Sequence, residues 1–496
     1  MPRRKWRQPS SDLLSNHNEF YPCPAKCPIH SRIQELFGLL TFDIVNEVRA
    51  NKRKVPLDKQ MVNGWQLRAL IADFLGNLAE AINTNHLTSL AADLYAQDKS
   101  TSIGLTLACL TDLCFNMEYV RRITDTHWAY CNRGGKPKVF YPYLGVCPRC
   151  VLHTSLREAA LGATKSKDDE EAENRKRYFG NKVQGHHVGR IGERVITLLL
   201  DLLSKAHDPK ALSGLVIDDQ HDVDSVFILS GFLLLAQIKA SPLVLLPAVV
   251  ILPEPLTQGV SEDTGLPLPR ANHTFLEIPT AGHELALYFS LDDSTLNLGP
   301  KTGINFPYES FRKQLTIDIT LKILNNWLLI YRSFAIPKVE REDDDVKRAY
   351  LTSGWGAPID DNKTKAGLAR SDNMMKGTYA CLKYGAYYGQ ECIRGTVKAA
   401  LVSNIDPAHQ YAEYLQKLED IRWGHDKDFS EVEGEEPRYI IDADKLAYLF
   451  DTVFTFNRQI LNDQNIREAW SLSEFAEKLA AGELDAILDE WREVRS

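Results

Sequence analysis

The sequence predicts an α/β (α+β) fold in which a mixed sheet is flanked by helices. Short runs rich in Val, Ile, Leu and Phe stand between turn residues from residue 222 onward, and each indicates a buried strand. Longer runs with apolar residues every three or four positions precede and follow them, as is typical of helices. A hydrophobic content of 44% and a charged content of 25% are those of a globular protein. Strands and helices of this kind pack in layers around a core.

The length of the chain, 496 residues, exceeds what one core usually covers, so we expect two or three domains. Residues 1–163 predict a helical domain with a cysteine-rich metal site, and helical periodicity runs through 31–125. The dense mixed charges of 164–184 predict a linker. We expect the sheet and its site within 185–337, and a mostly helical region over 338–496.

Five cysteines before residue 151 have spacings that indicate a structural zinc site. Cys147 and Cys150 are separated by two residues, and such a tight turn aims both thiolates at one tetrahedral ion. The candidate ligands are Cys23, Cys27, Cys131, Cys147 and Cys150, with His30, His127 and His153 as further choices. The sequence leaves open which four bind, and ordinary buried thiols are the alternative. A bound Zn²⁺ would stabilise a segment with little apolar core.

The other four cysteines, Cys109, Cys114, Cys381 and Cys392, lie in apolar or aromatic segments and are expected in the core. The basic amino end, MPRRKWRQ, lacks the apolar stretch of a signal peptide. Nine cysteines without a secretion signal indicate a reducing compartment, so we expect a cytoplasmic location and no membrane span.

A β-hairpin is predicted at residues 222–243, DVDSVFILSGFLLLAQIKASPL. Two apolar strands flank the pair Ser230-Gly231, which fits a two-residue loop. This loop fixes the register, because it sets Leu229 opposite Phe232 and every other pair follows.

The same register brings the polar ends of the hairpin together. Asp224 stands opposite Gln237 and Asp222 opposite Lys239, and the period of two puts all four on one face. Phosphodiester hydrolysis needs an acid for a divalent cation, a second oxygen ligand, and a cation that orients water or balances charge. The hairpin supplies all three. Asp219 and Asp222 remain alternatives to Asp224, which is preferred because it faces Gln237.

These residues resemble the PD-(D/E)xK nuclease superfamily, in which an Asp on one strand precedes Glu-x-Lys or Asp-x-Lys on the next. Gln237-Ile238-Lys239 stands at the tripeptide, so the chain is similar to a QxK variant, and the following ASPL resembles the same strand in type II restriction endonucleases. The resemblance implies a restriction-endonuclease-like core in which Asp224 ligates Mg²⁺. Gln237 would add an oxygen ligand or position water, although an amide binds a hard cation more weakly than a carboxylate. Lys239 would orient the nucleophilic water.

The helix predicted from Val188 to His207 carries a further candidate acid. Glu193 shares a stripe with Ile196 and Leu200, and a carboxylate on the packed side of a helix is costly unless it is paired or coordinates an ion. The superfamily resemblance implies an acid on the helix before the hairpin, close to the metal, and Glu193 matches it. The alternative is a half-exposed glutamate at a helix start.

Later elements follow from the same periodicities. Strands are predicted at 248–253, 273–279 and 284–291, one long amphipathic helix at 308–334, and helices from residue 440 to the end.

A lysine- and tyrosine-rich segment from Asp372 predicts DNA contacts. It interleaves Lys376, Lys383, Arg394 and Lys398 with Tyr379, Tyr384, Tyr387 and Tyr388. Cations neutralise phosphates, and phenols stack or donate hydrogen bonds. Lys376, Tyr379 and Lys383 also fall in a pattern similar to one in type II restriction enzymes. An amphipathic helix with packed aromatic residues and solvated lysines is the alternative.

The function expected from these observations is Mg²⁺-dependent, sequence-specific cleavage of double-stranded DNA, as in a type II restriction enzyme. The net charge of −8 excludes a broadly basic surface but allows a local basic cleft. We expect a homodimer, because duplex targets are two-fold symmetric, and a cognate DNA methyltransferase as genetic partner. The alternatives are a repair or recombination nuclease of the same fold and a catalytically inactive DNA-binding protein.

Overall fold

A computed structural model describes residues 64–122, 127–131, 138–140, 185–209, 215–216, 223–229, 232–244, 246, 248–252, 275–277, 284–289, 292–300, 306–336, 340–341, 343–351, 367–369, 371–387, 392, 395–405, 422–423, 430–432, 438–440, 446–448, 450–461 and 463–493. The helices of these segments are α1 (Gly64–Asn83), α2 (Ser89–Tyr95), α3 (Lys99–Arg122), α4 (Gly185–His207), α5 (Tyr308–Gln314), α6 (Ile317–Ala335), α7 (Asp344–Leu351), α8 (Ser371–Tyr387), α9 (Gln464–Ala469), α10 (Leu472–Ala480) and α11 (Asp485–Arg492). The strands are β1 (His127–Cys131), β2 (Lys138–Phe140), β3 (Leu215–Val216), β4 (Ser225–Leu229), β5 (Phe232–Ile238), β6 (Ala248–Ile251), β7 (Phe275–Glu277), β8 (Glu284–Phe289), β9 (Ser294–Pro300), β10 (Val397–Ser403), β11 (Arg422–Trp423), β12 (Ser430–Val432), β13 (Arg438–Ile440), β14 (Ala447–Tyr448), β15 (Thr452–Thr455) and β16 (Arg458–Leu461).

The described chain folds as a mixed α/β structure, as the sequence predicts. One six-stranded sheet has the order β16-β15-β10-β5-β4-β3, in which β5, β10 and β15 are parallel and the outer strands antiparallel. Helices α4 and α8 pack against this sheet. A strand pair that is parallel requires a crossover, and α8 lies in the connection from β5 to β10. We call this sheet the site sheet, because the candidate residues lie on it.

The second six-stranded sheet is antiparallel, with the order β7-β1-β2-β6-β8-β9. It joins strands on both sides of α4 and confirms strands within the three predicted segments from 248 to 291. The cysteine-rich region therefore contributes two strands, β1 and β2, to a sheet completed by later segments of the chain.

Helix α3 is the central helix of the core. Asp98 caps it by accepting hydrogen bonds from the backbone N–H groups of Ser100 (3.0 Å) and Thr101 (2.8 Å). By length and composition Lys99–Arg121 would suit a membrane span, and its apolar window is wholly buried inside the protein. It packs against α4 and α10, which is the environment of a core helix.

The carboxyl-terminal helices pack back onto the first described helices. Helix α11 contacts α1, and α10 contacts α3. Trp470 donates through Nε1 to Ser204 Oγ (3.0 Å) on α4 and packs edge-on against Phe227 of β4. Early and late segments thus share one hydrophobic core.

Three predictions need correction. The site sheet extends beyond 185–337, because β10, β15 and β16 form half of it and cover the edge that β5 would otherwise expose. The region after 338 is mixed rather than mostly helical, since the described part of 422–461 consists of strands and their connections. The helix predicted at 308–334 is two helices, because Thr316 begins a new one by accepting from the N–H of Ile319.

Candidate active site

The predicted register of the hairpin is confirmed. Leu229 pairs with Phe232 and Ser225 with Ala236, which leaves room for two connecting residues outside the described chain. The paired residues end at Ser225 and Ala236; Asp224 N–H donates to the carbonyl of Ala236 at 3.0 Å, and the side chain of Asp224 contacts that of Gln237. The sequence could fix this arrangement because the side chains of paired strands alternate strictly.

The carboxylate of Asp224 lies at the centre of the site. Its Oδ2 accepts hydrogen bonds from the backbone N–H of Ile238 (2.7 Å), from Lys239 Nζ (3.3 Å) and from the amide nitrogen of Gln237. The predicted glutamine and lysine therefore both contact the predicted acid. Three donors that converge on one oxygen fix the orientation of the carboxylate.

Lys239 lies where β5 ends and is held there by β10. Its N–H donates to Val402 O at 2.8 Å, and its own carbonyl accepts from Ser403 Oγ at 2.6 Å. Its side chain is only partly exposed and reaches both Asp224 and the carbonyl of Ile238, each at 3.3 Å. The ammonium group thus stays beside the acid while one side of it faces solvent.

Glu193 reaches the site from helix α4. The helix lies unusually close to the end of β5, because a methyl group added to Gly192 would lie 2.6 Å from Ala240 Cβ. Thr197, one turn later, bonds both the carbonyl of Glu193 (2.7 Å) and Ser225 Oγ (2.6 Å). These contacts set the position of Glu193 relative to the hairpin.

Burial raises the pKa of Glu193 to about 8, and the negative charge of Asp224 adds to the shift. Lys239, Arg194 and Arg190 oppose it. The influence of Asp224 and Lys239 on this carboxyl places all three charges in one neighbourhood. The four residues predicted from the sequence are thereby brought together.

A divalent cation fits the chemistry of this donor set. Mg²⁺ prefers carboxylate oxygens and keeps several waters, and two acids that repel each other in a partly buried position gain from a cation between them. In the described part of the chain no group of three or more His, Cys, Asp or Glu side chains is arranged to hold a metal. The assignment of Asp224 and Gln237, with Glu193, to Mg²⁺ stays a prediction.

The segment after Lys239 is anchored by residues that sequence reasoning missed. Asn404 Nδ2 donates to Ser241 O at 2.8 Å, and Ser241 Oγ accepts from the N–H of Gly367 at 2.7 Å. Asp112 of α3 accepts from the N–H groups of Leu243 (3.2 Å) and Val244 (2.8 Å). These contacts join distant segments, so no local pattern could have indicated them.

Tyr384 is a further residue of the site, although the sequence predicts it among residues that contact DNA. It is buried, and its hydroxyl donates to Gln237 Oε1 at 3.1 Å. The signal was present in the spacing of Gly377, Cys381 and Tyr384, which marks one packed face of α8. Gly377 lies against Leu401 of β10 on that face.

The three residues predicted to bind DNA lie on α8. Tyr379 is 64% exposed, Lys376 is exposed and Lys383 is partly exposed. Met375 and Leu382 lie beside Tyr379, and these three are the exposed large hydrophobic residues of the described chain. The outer face of α8 therefore combines cations and apolar groups.

Lys398 does not belong to such a surface. It is buried, forms an ion pair with Asp463 and lies over the Phe232 ring at 4.1 Å from its centroid. Its ammonium group neutralises the carboxylate of Asp463 inside the fold. The expectation that Lys398 contacts DNA was therefore wrong.

Several predicted residues lie outside the described residues, namely Asp219, Asp222, Tyr388, Arg394, Cys23, Cys27, His30, Cys147, Cys150 and His153. Cys131 ends strand β1, and its side chain is outside the description as well. The zinc site stays a prediction. Cys109, Cys114 and Cys381 are buried free thiols, as expected, whereas Cys392 is only partly buried and does not belong to the core.

Compared with known proteins, the chain matches no family model, no curated protein and no solved structure.

Proposed function

We propose that the protein is a Mg²⁺-dependent endonuclease that cuts double-stranded DNA, of the type II restriction kind within the PD-(D/E)xK superfamily. The observation that carries the proposal is the meeting of Asp224, Gln237, Lys239 and Glu193 where β5 ends. The superfamily resemblance requires an acid on one strand, a lysine two residues beyond a polar residue on the next, and an acid on the preceding helix. Each of these has a counterpart in contact or in electrostatic reach.

The chemistry follows from the positions of these groups. Bound Mg²⁺ would polarise the phosphate and lower the pKa of a water molecule. Asp224 and Glu193 would hold the ion. Lys239, with Nζ at 3.3 Å from Asp224 Oδ2, is placed to orient the attacking water and to balance the negative charge that develops on the phosphate.

The wider assignment extends this proposal. Duplex DNA would bind over the site and the outer face of α8, where Lys376, Tyr379 and Lys383 lie. A homodimer would match the symmetry of a duplex target, a methyltransferase would protect the host, and the cytoplasm would be the location. A structural Zn²⁺ in the cysteine-rich segment completes the proposal.

A catalytically inactive DNA-binding protein is the second candidate. One observation favours it. The amide nitrogen of Gln237 donates a hydrogen bond to Asp224 Oδ2, an oxygen atom that would face a cation in an active nuclease. Such a protein would bind duplex DNA and leave it intact.

The test is incubation of purified protein with phage-sized duplex DNA, with Mg²⁺ or with EDTA, followed by gel electrophoresis. We expect discrete Mg²⁺-dependent fragments from the unaltered protein, and intact but bound DNA with Asp224→Asn or Lys239→Met. Asp208→Asn and Lys313→Met are matched controls, because both residues are exposed on other parts of the fold.

Other outcomes would replace the proposal. A smear of fragments would favour the repair or recombination nuclease. Tight binding without any Mg²⁺-dependent cleavage would favour the inactive DNA-binding protein, and full cleavage by either site variant would remove these residues from the mechanism.

A further inference from the structure

A chain of hydrogen bonds runs from helix α8 into the site. Tyr384 donates through its hydroxyl to Gln237 Oε1 at 3.1 Å, and Gln237 donates through Nε2 to Asp224 Oδ2. Gln237 is 4% exposed and Tyr384 1% exposed, so water does not compete for these bonds. This chain of hydrogen bonds thus lies inside the protein.

The orientation of the amide is fixed at the end that faces Asp224. A glutamine has one acceptor end and one donor end, whereas an ionised carboxylate only accepts. The nitrogen end therefore faces Asp224, because the reverse orientation would set the amide oxygen against a carboxylate oxygen. The hydroxyl of Tyr384 then donates to the oxygen end and holds it in place.

The position of Tyr384 is itself determined by tight packing of α8 on the site sheet. A methyl group added to Gly377 would lie 2.4 Å from Leu401 Cδ1, so the helix lies close against β10. Cys381, one turn before Tyr384, is also buried, and the charges of Asp451, Lys239 and Asp224 act on its thiol. A buried face this close to the sheet leaves the phenol little freedom.

We propose that Tyr384 is a positioning residue that holds Gln237 as a hydrogen-bond donor to Asp224, and that Gln237 does not ligate the metal. This inference rests on the proposed nuclease function and changes the role that the sequence resemblance gives to the glutamine. The oxygen of Gln237 faces away from Asp224, so the second protein ligand comes from another element. Glu193 on α4 is the acid that the fold brings there.

The first test measures metal affinity without any reaction. Mn²⁺ is titrated into the full chain and free ion is followed by electron paramagnetic resonance. We expect Glu193→Gln to weaken binding at least tenfold, whereas Gln237→Leu and Tyr384→Phe change it less than threefold. A loss with Gln237→Leu as large as that with Glu193→Gln would overturn the proposal, because it would make the amide a ligand.

The second test asks whether Tyr384 acts through Gln237. We expect Tyr384→Phe and Gln237→Leu each to slow DNA cleavage about tenfold at saturating Mg²⁺, and the double variant to be no slower than Gln237→Leu alone. Independent effects that multiply to about a hundredfold would overturn the proposal.

The matched control is Tyr95→Phe. It removes a partly buried phenol, whose hydroxyl bonds Thr106 Oγ1 at 2.8 Å, away from the site, and we expect normal metal affinity and cleavage. If the unaltered chain neither binds Mn²⁺ nor cuts DNA, the proposed function fails together with this inference. If the unaltered chain binds Mn²⁺ and cuts DNA but the variants do not have the effects expected above, this inference alone is overturned.

Discussion

At the scale of single residues, Asp112 shows how a buried carboxylate supports the site from a distance. Its Oδ2 accepts from the N–H groups of Leu243 and Val244 and from Trp327 Nε1 (2.8 Å). Burial raises the pKa of this carboxyl to about 7, although the hydrogen bonds oppose the shift. Asp112 therefore ties the segment that follows Lys239 to helix α3 and to α6.

Asp112 predicts a pH dependence of stability. Its pKa in the folded protein lies above the ordinary value of 3.8, so the native state retains a proton that the unfolded chain has lost. The stabilisation from this group is complete below about pH 4 and is lost as pH rises through about 7, a change on the order of 4 kcal/mol. Asp112→Asn keeps an acceptor and removes the titration. The free energy of unfolding in urea, measured from about pH 4 to about pH 8, should decrease with pH in the unaltered protein. In the variant, the part of this decrease that comes from Asp112 should be absent. A parallel pH profile for both proteins would show that Asp112 contributes nothing to it.

Single residues also mark where sequence reasoning succeeds. Asp224, Gln237 and Lys239 were predicted together because a hairpin register depends only on neighbouring residues. Tyr384 and Asp112 reach the same site from helices that are distant in sequence. Their contacts depend on how helices pack on the sheet, which no local periodicity encodes.

At the scale of elements, the contact between α4 and the end of β5 sets the distance from Glu193 to the hairpin. Gly192 makes this contact possible, since any side chain there would meet Ala240. Gly189 lies one turn earlier, where an added methyl group would only touch Glu193 Oε1 at 3.4 Å. The two glycines therefore form a matched pair within one helix.

We expect Gly192→Ala to lower the free energy of unfolding by about 1–3 kcal/mol, because the helix must move away from the strand. DNA cleavage should fall as well, because Glu193 moves with the helix. Gly189→Ala should be neutral or stabilise by up to about 1 kcal/mol, since alanine favours a helix more than glycine does. Thermal unfolding and the cleavage assay measure both effects. Equal stability of the two variants would mean that α4 tolerates a wider separation than the contact indicates.

The outer face of α8 predicts a salt-dependent contact with DNA. Each lysine that neutralises a phosphate contributes about 0.9 to the slope of log affinity against log salt concentration. Lys376→Ala and Lys383→Ala should each weaken binding of every duplex sequence and reduce this slope by about one. Fluorescence anisotropy across a salt series measures it, with Lys99→Ala as control because that exposed lysine lies on α3 and not on α8. An unchanged slope would leave α8 outside the interface.

Element types were predicted well where a pattern is long and one-sided. Helices α1 and α4 follow from apolar spacing, whereas a helix at α8 is only the alternative to a DNA-contacting segment. Strand β15 lies in a segment that the sequence predicts as helix. All four of its residues are buried, so it lacks the alternation of apolar and polar residues that marks a half-exposed strand. The turn at Phe456-Asn457 that joins it to β16 is too short to be a strong signal.

At the scale of the whole molecule, the site sheet is assembled from segments far apart in the chain. Residues 185–337 supply β3, β4 and β5, and residues 397–461 supply β10, β15 and β16. Chain length and changes in composition along the sequence predicted several domains, with boundaries near residues 163, 184 and 337. They could not show that strands on both sides of α8 complete one sheet.

A fragment of residues 185–337 is therefore expected not to fold by itself. Without β10, the buried strand β5 would expose its apolar residues and its unpaired edge. Urea unfolding of this fragment, followed by circular dichroism, should show no cooperative transition, whereas the full chain should show one. A cooperative transition in the fragment would make it an independent domain.

The pairing of β5 with β10 also sets an order of events during synthesis. The hairpin that carries Asp224 and Lys239 leaves the ribosome long before β10, which anchors Lys239 through Val402 and Ser403. Parallel pairing across so long a connection is slow, because the loop must close before the contacts form. A nascent chain therefore has the charged groups of the candidate site but lacks their fixed geometry, which arises only after β10 has been made and has paired with β5.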